Sequence, residues 1–382
     1  MKHIISKSCA DAQAYIVPFR AGSHRGVSIA PEMDAAVDLA INGSFGGNLG
    51  ETYAMTLPVG NKLTSIILLG LGADRLSVRD IHTKAAQAFK QAKQLGAKHV
   101  AVMLDQVSEL SESFELFGAL ARLPQLVGYT NSGLKSNPEN KNFEQVAFVT
   151  AADGLDAALR EAVATARGTI IARRLCNLRS NEQTPQSLAE DTAALGKEYG
   201  FDVQLFDKAA IEELGMESFL SVARGAHNTP PVLIVMRYLN GGDSPRIGLV
   251  GKGIVYDSGG YSIKTTPGMK NMFDDMGGAA AVIGAMTAVA DQKLKANVIG
   301  VIAACENKIA ADAYVPGDII GSMSGKTIEV ISADAEGRLP PSQASATPRE
   351  KKTSLGDFQP RHLRGRLLIM SVTRRRCSSD RV

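Results

Sequence analysis

The chain alternates short apolar runs with amphipathic stretches. Residues 65–72, Ser65-Ile66-Ile67-Leu68-Leu69-Gly70-Leu71-Gly72, read as a buried strand closed by glycine. Over residues 77–95 the apolar positions Ile81, Ala85, Phe89 and Ala92 fall on one stripe at helical spacing. Ser77, with Asp80 three residues on, fits the capped start of that helix. His99-Val100-Ala101-Val102-Met103-Leu104 then reads as a second strand. This strand–helix–strand rhythm predicts a small α/β domain with a largely parallel sheet.

A long helix is predicted over residues 155–178, and the domain junction is placed there, dividing 1–155 from 156–338. The second part repeats the alternation. Residues 186–198 and 208–214 read as helical and 202–206 as extended, while the apolar runs 231–236 and 246–251 suit central strands. A small-residue helix over 277–292 precedes a buried strand over 296–304. The fold class is α/β in two domains, the second larger, with a central mixed β-sheet flanked by helices. After Arg338 the grammar breaks. Residues 339–382 are expected to form an atypical basic tail, mostly disordered, in which only 367–370 could make a short strand.

Composition narrows the class. The 382 residues are 45% hydrophobic, enough for two separate cores. No run of about 18 apolar residues exists, so no membrane span is expected, and the N-terminus lacks the apolar stretch of a signal peptide. Only 5% of residues are aromatic and Trp is absent, which argues against a stacking surface for nucleic acid. Cys9, Cys176, Cys305 and Cys377 are widely spaced with no CxxC pair, as expected for reduced thiols in a cytoplasmic protein. The net charge of +3 belongs to the tail: residues 339–382 hold ten Lys or Arg against three Asp or Glu, leaving 32 basic and 36 acidic residues elsewhere. The basic balance therefore does not point to a nucleic-acid partner.

Three segments carry chemistry. They are Val250-Gly251-Lys252-Gly253-Ile254-Val255-Tyr256-Asp257-Ser258-Gly259-Gly260-Tyr261-Ser262-Ile263-Lys264, Asp274-Asp275-Met276-Gly277-Gly278-Ala279-Ala280, and Asp334-Ala335-Glu336-Gly337-Arg338. Lys252 and Asp257 sit at the end of a strand, where ligands of α/β folds gather. Asp275 precedes a glycine pair that opens a helix. Asp334 and Glu336 are two apart, so in an extended segment both would face one side. Carboxylates this dense share a pocket only if cations neutralise them, and two divalent metals roughly 3.5–4 Å apart would do so. None of the six histidines forms the HxxxH pair of the common zinc proteases.

Singly these pieces are ordinary turns; in this order they resemble the leucyl aminopeptidases, the cytosol aminopeptidases of peptidase family M17. The likeness extends more weakly through Asn177-Leu178-Arg179-Ser180-Asn181-Glu182-Gln183-Thr184-Pro185 upstream, and through Asn307 and Ala313-Tyr314-Val315-Pro316-Gly317-Asp318 downstream. The resemblance implies that Asp257 and Glu336 bridge two metal ions, Zn²⁺ or Mn²⁺, that Lys252 and Asp275 complete the tighter site, and that Asp334 completes the exchangeable one. It implies that Lys264 polarises the scissile carbonyl and that Arg338 holds a bicarbonate that relays protons. The implied activity is removal of N-terminal residues from peptides, leucine preferred, by attack of a metal-bridged water. A cytoplasmic homo-hexamer is implied too. Ala333 stands where the family usually has Thr, and Tyr256 where it usually has Phe. The family's terminal motif leads into a helix, whereas Leu339-Pro340-Pro341 follows here, which predicts a shifted reading frame near Leu339. Two other functions stay open at this point: a catalytically incomplete remnant that binds metal without turnover, and a DNA-binding protein.

Overall fold

The computed structural model describes residues 1–8, 11–22, 29, 31–131, 142–340 and the strand 367–370. It divides into two compact units, Met1–Arg167 and Gly168–Val382. The division falls inside the helix Asp156–Asn177, which begins where the sequence places its own domain junction.

The first unit is built on β1 (Lys2–Ser6), β2 (Ala14–Phe19), β3 (Thr52–Val59), β4 (Lys62–Gly70), β5 (His99–Met103) and β6 (Gln145–Val149), in spatial order β1-β6-β5-β2-β4-β3. All pairs are parallel except the β3–β4 hairpin at one edge. Side chains alternate between the faces. Ile67, Leu69, Val100 and Val102 pack on one side with Phe89 and Phe117 from helices, while Ile66, Leu68 and Ala101 pack on the other with Met33 and Val37. Both faces are covered, which is why β4 reads as an unbroken apolar run. The helical stretch over 78–94 starts on Ser77, whose hydroxyl accepts from Asp80 N while Asp80 reaches back to Ser77 N. A π-helical turn, Ile81–Ala85, interrupts it.

His3 on β1 is largely buried, and its Nε2 has no hydrogen-bond partner. Burial, then the positive charges of the amino terminus and Arg167, push the imidazole down from 6.5 to about 4. The folded value lies below the unfolded one, so this stability is complete above pH 6.5 and is lost as pH falls through 4. The difference in thermal midpoint between the parent chain and His3→Gln should change over that window by the equivalent of about 2 kcal/mol, in favour of the variant at acid pH. A difference independent of pH would refute a neutral buried His3.

The second unit contains β7 (Asp202–Phe206), β8 (Val232–Leu239), β9 (Arg246–Asp257), β10 (Asn297–Asn307), a small hairpin of β11 (Ile319–Gly321) and β12 (Thr327–Glu329), and β13 (Leu367–Met370). The main sheet runs β13-β9-β10-β8-β7; β9 is parallel to β10 and β13, and β8 is antiparallel to its neighbours. On one face Ile234, Met236, Val255 and Ile302 pack against the helices Pro185–Tyr199 and Gly277–Asp291. On the other, Val235, Ile254, Val301 and Ala303 pack against Ile211, Phe219 and Tyr314. The two-domain α/β architecture with a mixed second sheet is the one the sequence predicts. Leu367–Met370 does form a strand, pairing with Gly248–Gly251. Leu339 and Pro340 continue in helical conformation, and apart from 367–370 the tail beyond them lies outside the described residues.

Candidate metal centre

The centre forms around the carboxyl ends of β9 and β10, although Lys252, expected at the strand's end, lies inside β9 and pairs in register with Ala303. Gly251 of β9 and Gly278 of the helix Gly277–Asp291 touch backbone to backbone. A Cβ on Gly251 would lie 2.6 Å from Gly278 O, and one on Gly278 would lie 2.7 Å from Lys252 N. That close approach brings Asp275, just before the helix, to Lys252, with Nζ 2.6 Å from Asp275 Oδ2. Lys252 Nζ also lies 2.7 Å from Glu336 Oε1. It occupies the space a side chain at 337 would fill: a Cβ on Gly337 would sit 2.6 Å from Nζ.

Asp257 ends β9 and is 2% exposed. The chain turns at once through Gly259 and Gly260, whose φ of 87° and 58° favour glycine. Lys264 N then donates to Ser258 O, and Lys264 Nζ pairs with Asp257 Oδ2 at 2.8 Å and with Asp334. Asp334 and Glu336 do not lie on an extended segment, the one conformation in which their spacing alone would put both on one side. Ala333–Arg338 is a 3₁₀ turn, opened by Ser332 Oγ accepting from Asp334 N and bent at Ala335, φ −106°. The bend still gathers them: carboxylate oxygens of Asp257, Asp334 and Glu336 lie within 4.8 Å of one another. Arg338 ends the turn with its side chain exposed.

Four carboxylates thus face two ammonium groups. Burial alone would drive the Lys252 amine down, but Asp275 and Glu336 more than reverse this, and its value rises. Lys264 behaves likewise against Asp257 and Asp334. Burial, resisted by Lys252, pushes Asp275 up to about 6. Glu336 Oε2 is buried and accepts no hydrogen bond. A dense set of hard oxygen donors, half neutralised, with one buried acceptor orphaned, fits divalent cations.

The structure therefore brings together Lys252, Asp257, Lys264, Asp275, Asp334 and Glu336. It adds two groups to which sequence assigned no role. Asn307, the last residue of β10, donates to Asp257, and the Tyr314 hydroxyl donates to Ala333 O at 2.8 Å. The rule that sites gather at strand carboxyl ends could have found Asn307, which pairs in register with Asp257.

The catalytic-domain profile of the cytosol aminopeptidase family matches residues 170–347, and the family's N-terminal-domain profile matches 34–138. The chain belongs to the cytosol aminopeptidase family. It is 43% identical over 310 residues to a probable cytosol aminopeptidase of Clostridium perfringens, covering 77% of this chain and 61% of that relative. It is 40% identical over 296 residues to a probable cytosol aminopeptidase of Fusobacterium nucleatum, covering 77% and 59%. The chain thus spans about three fifths of the length of these family members. Among solved structures, the bottromycin maturation enzyme BotP in complex with Mn superposes with a TM-score of 0.74 at 25% identity, over 90% of this chain and 71% of that one. No helix among the described residues is long and apolar enough to cross a membrane.

Proposed function

We propose that this family member is a metal-dependent aminopeptidase that removes N-terminal residues, leucine preferred, from peptides. The observation that carries the proposal is the packing of Asp257, Asp334 and Glu336 around one point, with Glu336 Oε2 buried and unbonded. Lys252, Asp257, Asp275, Asp334 and Glu336 would hold two divalent ions, Mn²⁺ or Zn²⁺. When bound, such ions polarise the scissile carbonyl and lower the pKa of water.

The chain's own groups do the rest. Lys252 can enter the ligand set only as the free amine, so uptake of metal takes a proton from its Nζ. Lys264, paired here with Asp257 and Asp334, would be free to face substrate where cations neutralise those carboxylates. Its ammonium then donates to the substrate's carbonyl oxygen and to the oxyanion that develops there. The exposed guanidinium of Arg338 offers a two-pronged site for a small planar anion such as bicarbonate, which would take up and return protons. Cytoplasmic residence and assembly as a homo-hexamer belong to the same proposal.

Release of leucine from a leucyl anilide by the 382-residue chain with Mn²⁺, beside Asp257→Asn, tests it. Chelator-sensitive turnover lost in the variant is the expected result. Two bound metals without turnover would favour the alternative of a protein that binds metal without catalysis. Absence of both metal binding and turnover would refute the proposal.

A further inference from the structure

We propose that Asn307 is a positioning residue that holds the carboxylate of Asp257 and the turn bearing Asp334 in one fixed relation, an inference that rests on the metal-dependent reading above. Asn307 is fully buried. Its Nδ2 spends one hydrogen on Asp257 Oδ1 and the other on Ala333 O, both at 2.9 Å. Both partners are acceptors, so the amide cannot be flipped without setting oxygen against oxygen. One side chain therefore ties the end of β9 to the residue before Asp334, across 76 positions of sequence.

The arrangement leaves a polar atom unsatisfied. Asn307 Oδ1 has no hydrogen-bond partner, and a Cβ on Gly260 would lie 2.9 Å from it. A buried acceptor left unpaired is costly, and here it accompanies a donor pair aimed at a candidate ligand and its neighbouring turn. The consequence for Asp257 is specific. Its Oδ1 accepts from Asn307 Nδ2 and from Gly259 N at 2.9 Å, so the carboxylate presents Oδ2 to Lys264 and to any cation in the centre. Asn307 is itself anchored, because the adjacent Glu306 is buried and held by Lys308 Nζ at 2.8 Å and by Thr229. Tyr314 donates to the same Ala333 carbonyl but to neither carboxylate. It provides the comparison for a group that steadies the turn alone.

The test is a Mn²⁺ titration by calorimetry of the full chain and of Asn307→Ala, Asn307→Leu and Tyr314→Phe, with leucyl anilide kinetics and melts on the same samples. Both Asn307 variants should bind Mn²⁺ roughly 10- to 100-fold more weakly. Where turnover is measurable, kcat should fall while KM stays within about threefold, the signature of a disordered reacting centre rather than a lost substrate contact. Tyr314→Phe should lower the melt yet leave Mn²⁺ affinity within about threefold. Folded Asn307 variants that bind Mn²⁺ as the parent does would overturn the inference. So would failure of both to fold, which would assign Asn307 to the fold. A parent chain that takes up no Mn²⁺ is a separate failure: it removes the metal reading first and this inference with it.

Discussion

Lys252→Met should cost the metal-free chain about 3 kcal/mol and abolish Mn²⁺-dependent turnover, and added Mn²⁺ should recover part of the lost stability. Lys252 Nζ is the shared partner of Asp275 and Glu336, at 2.6 and 2.7 Å, and Glu336 is 1% exposed. Methionine fills much the same space but leaves both carboxylates without their cation, one of them fully desolvated. Unpaired buried charge, not lost packing, is the dominant cost. Divalent cations supply that charge from the other side, so the deficit should shrink on metal addition. Glu336→Gln is the contrast. It removes one of four crowded carboxylates and should change metal-free stability by less than about 1 kcal/mol, while lowering metal affinity at least as severely. Melts in chelator and in Mn²⁺ would decide. If Lys252→Met is neutral in chelator, the ammonium does not balance these carboxylates. If Mn²⁺ deepens its deficit, the cluster does not hold cations.

Much of the fold was legible because period and burial coincide. The runs 65–70, 100–102, 248–251 and 298–304 lie in strands buried on both faces, so they show as apolar stretches whatever their partners. The Ser77 cap was legible because its bonds are local. Ala14–Phe19 was harder to read, since Pro18 punctuates a short apolar run that nonetheless lies between β4 and β5. The hairpin of β11 and β12 has three residues per strand, too few for a period to appear.

At the centre, the chemistry of the donors was visible as residue types at strand ends and loop turns, and the structure gathers those residues. Their conformations were not. Asp334 and Glu336 share a pocket through a bent 3₁₀ turn, not through the alternation of an extended segment. Nothing local announces that Gly337 must lack a side chain because an amine from residue 252 lies against it. Asn307 reads as the polar end of an apolar strand until its two acceptors, 50 residues upstream and 26 downstream, are in place. Such contacts are set by topology, which the period of a single segment does not encode.

Gly168→Leu should prevent the second unit from folding, an effect on the order of 4 kcal/mol or more. The helices Asp156–Asn177 and Gly277–Asp291 meet at Gly168 and Gly284. A Cβ on Gly168 would lie 2.3 Å from Gly284 O, and a Cβ on Gly284 would lie 2.4 Å from Gly168 O. The obstructing atoms belong to helical backbone, so no rotamer change relieves the clash and the helices must separate. Separation would pull the second helix off β9, where Gly278 rests on Gly251 and Asp275 reaches Lys252. The fold and the centre would be lost together. Gly277→Ala is the control on the same helix, because a Cβ there meets only Cys176 Sγ at 3.8 Å, an ordinary contact. It should fold normally, within about 0.5 kcal/mol of the parent. Soluble yield, circular dichroism and a urea melt of the two variants would separate them. A cooperative Gly168→Leu melt near that of the parent would mean that the glycines do not fix the distance between these helices, and that Asp275 is placed by the β9 contact alone.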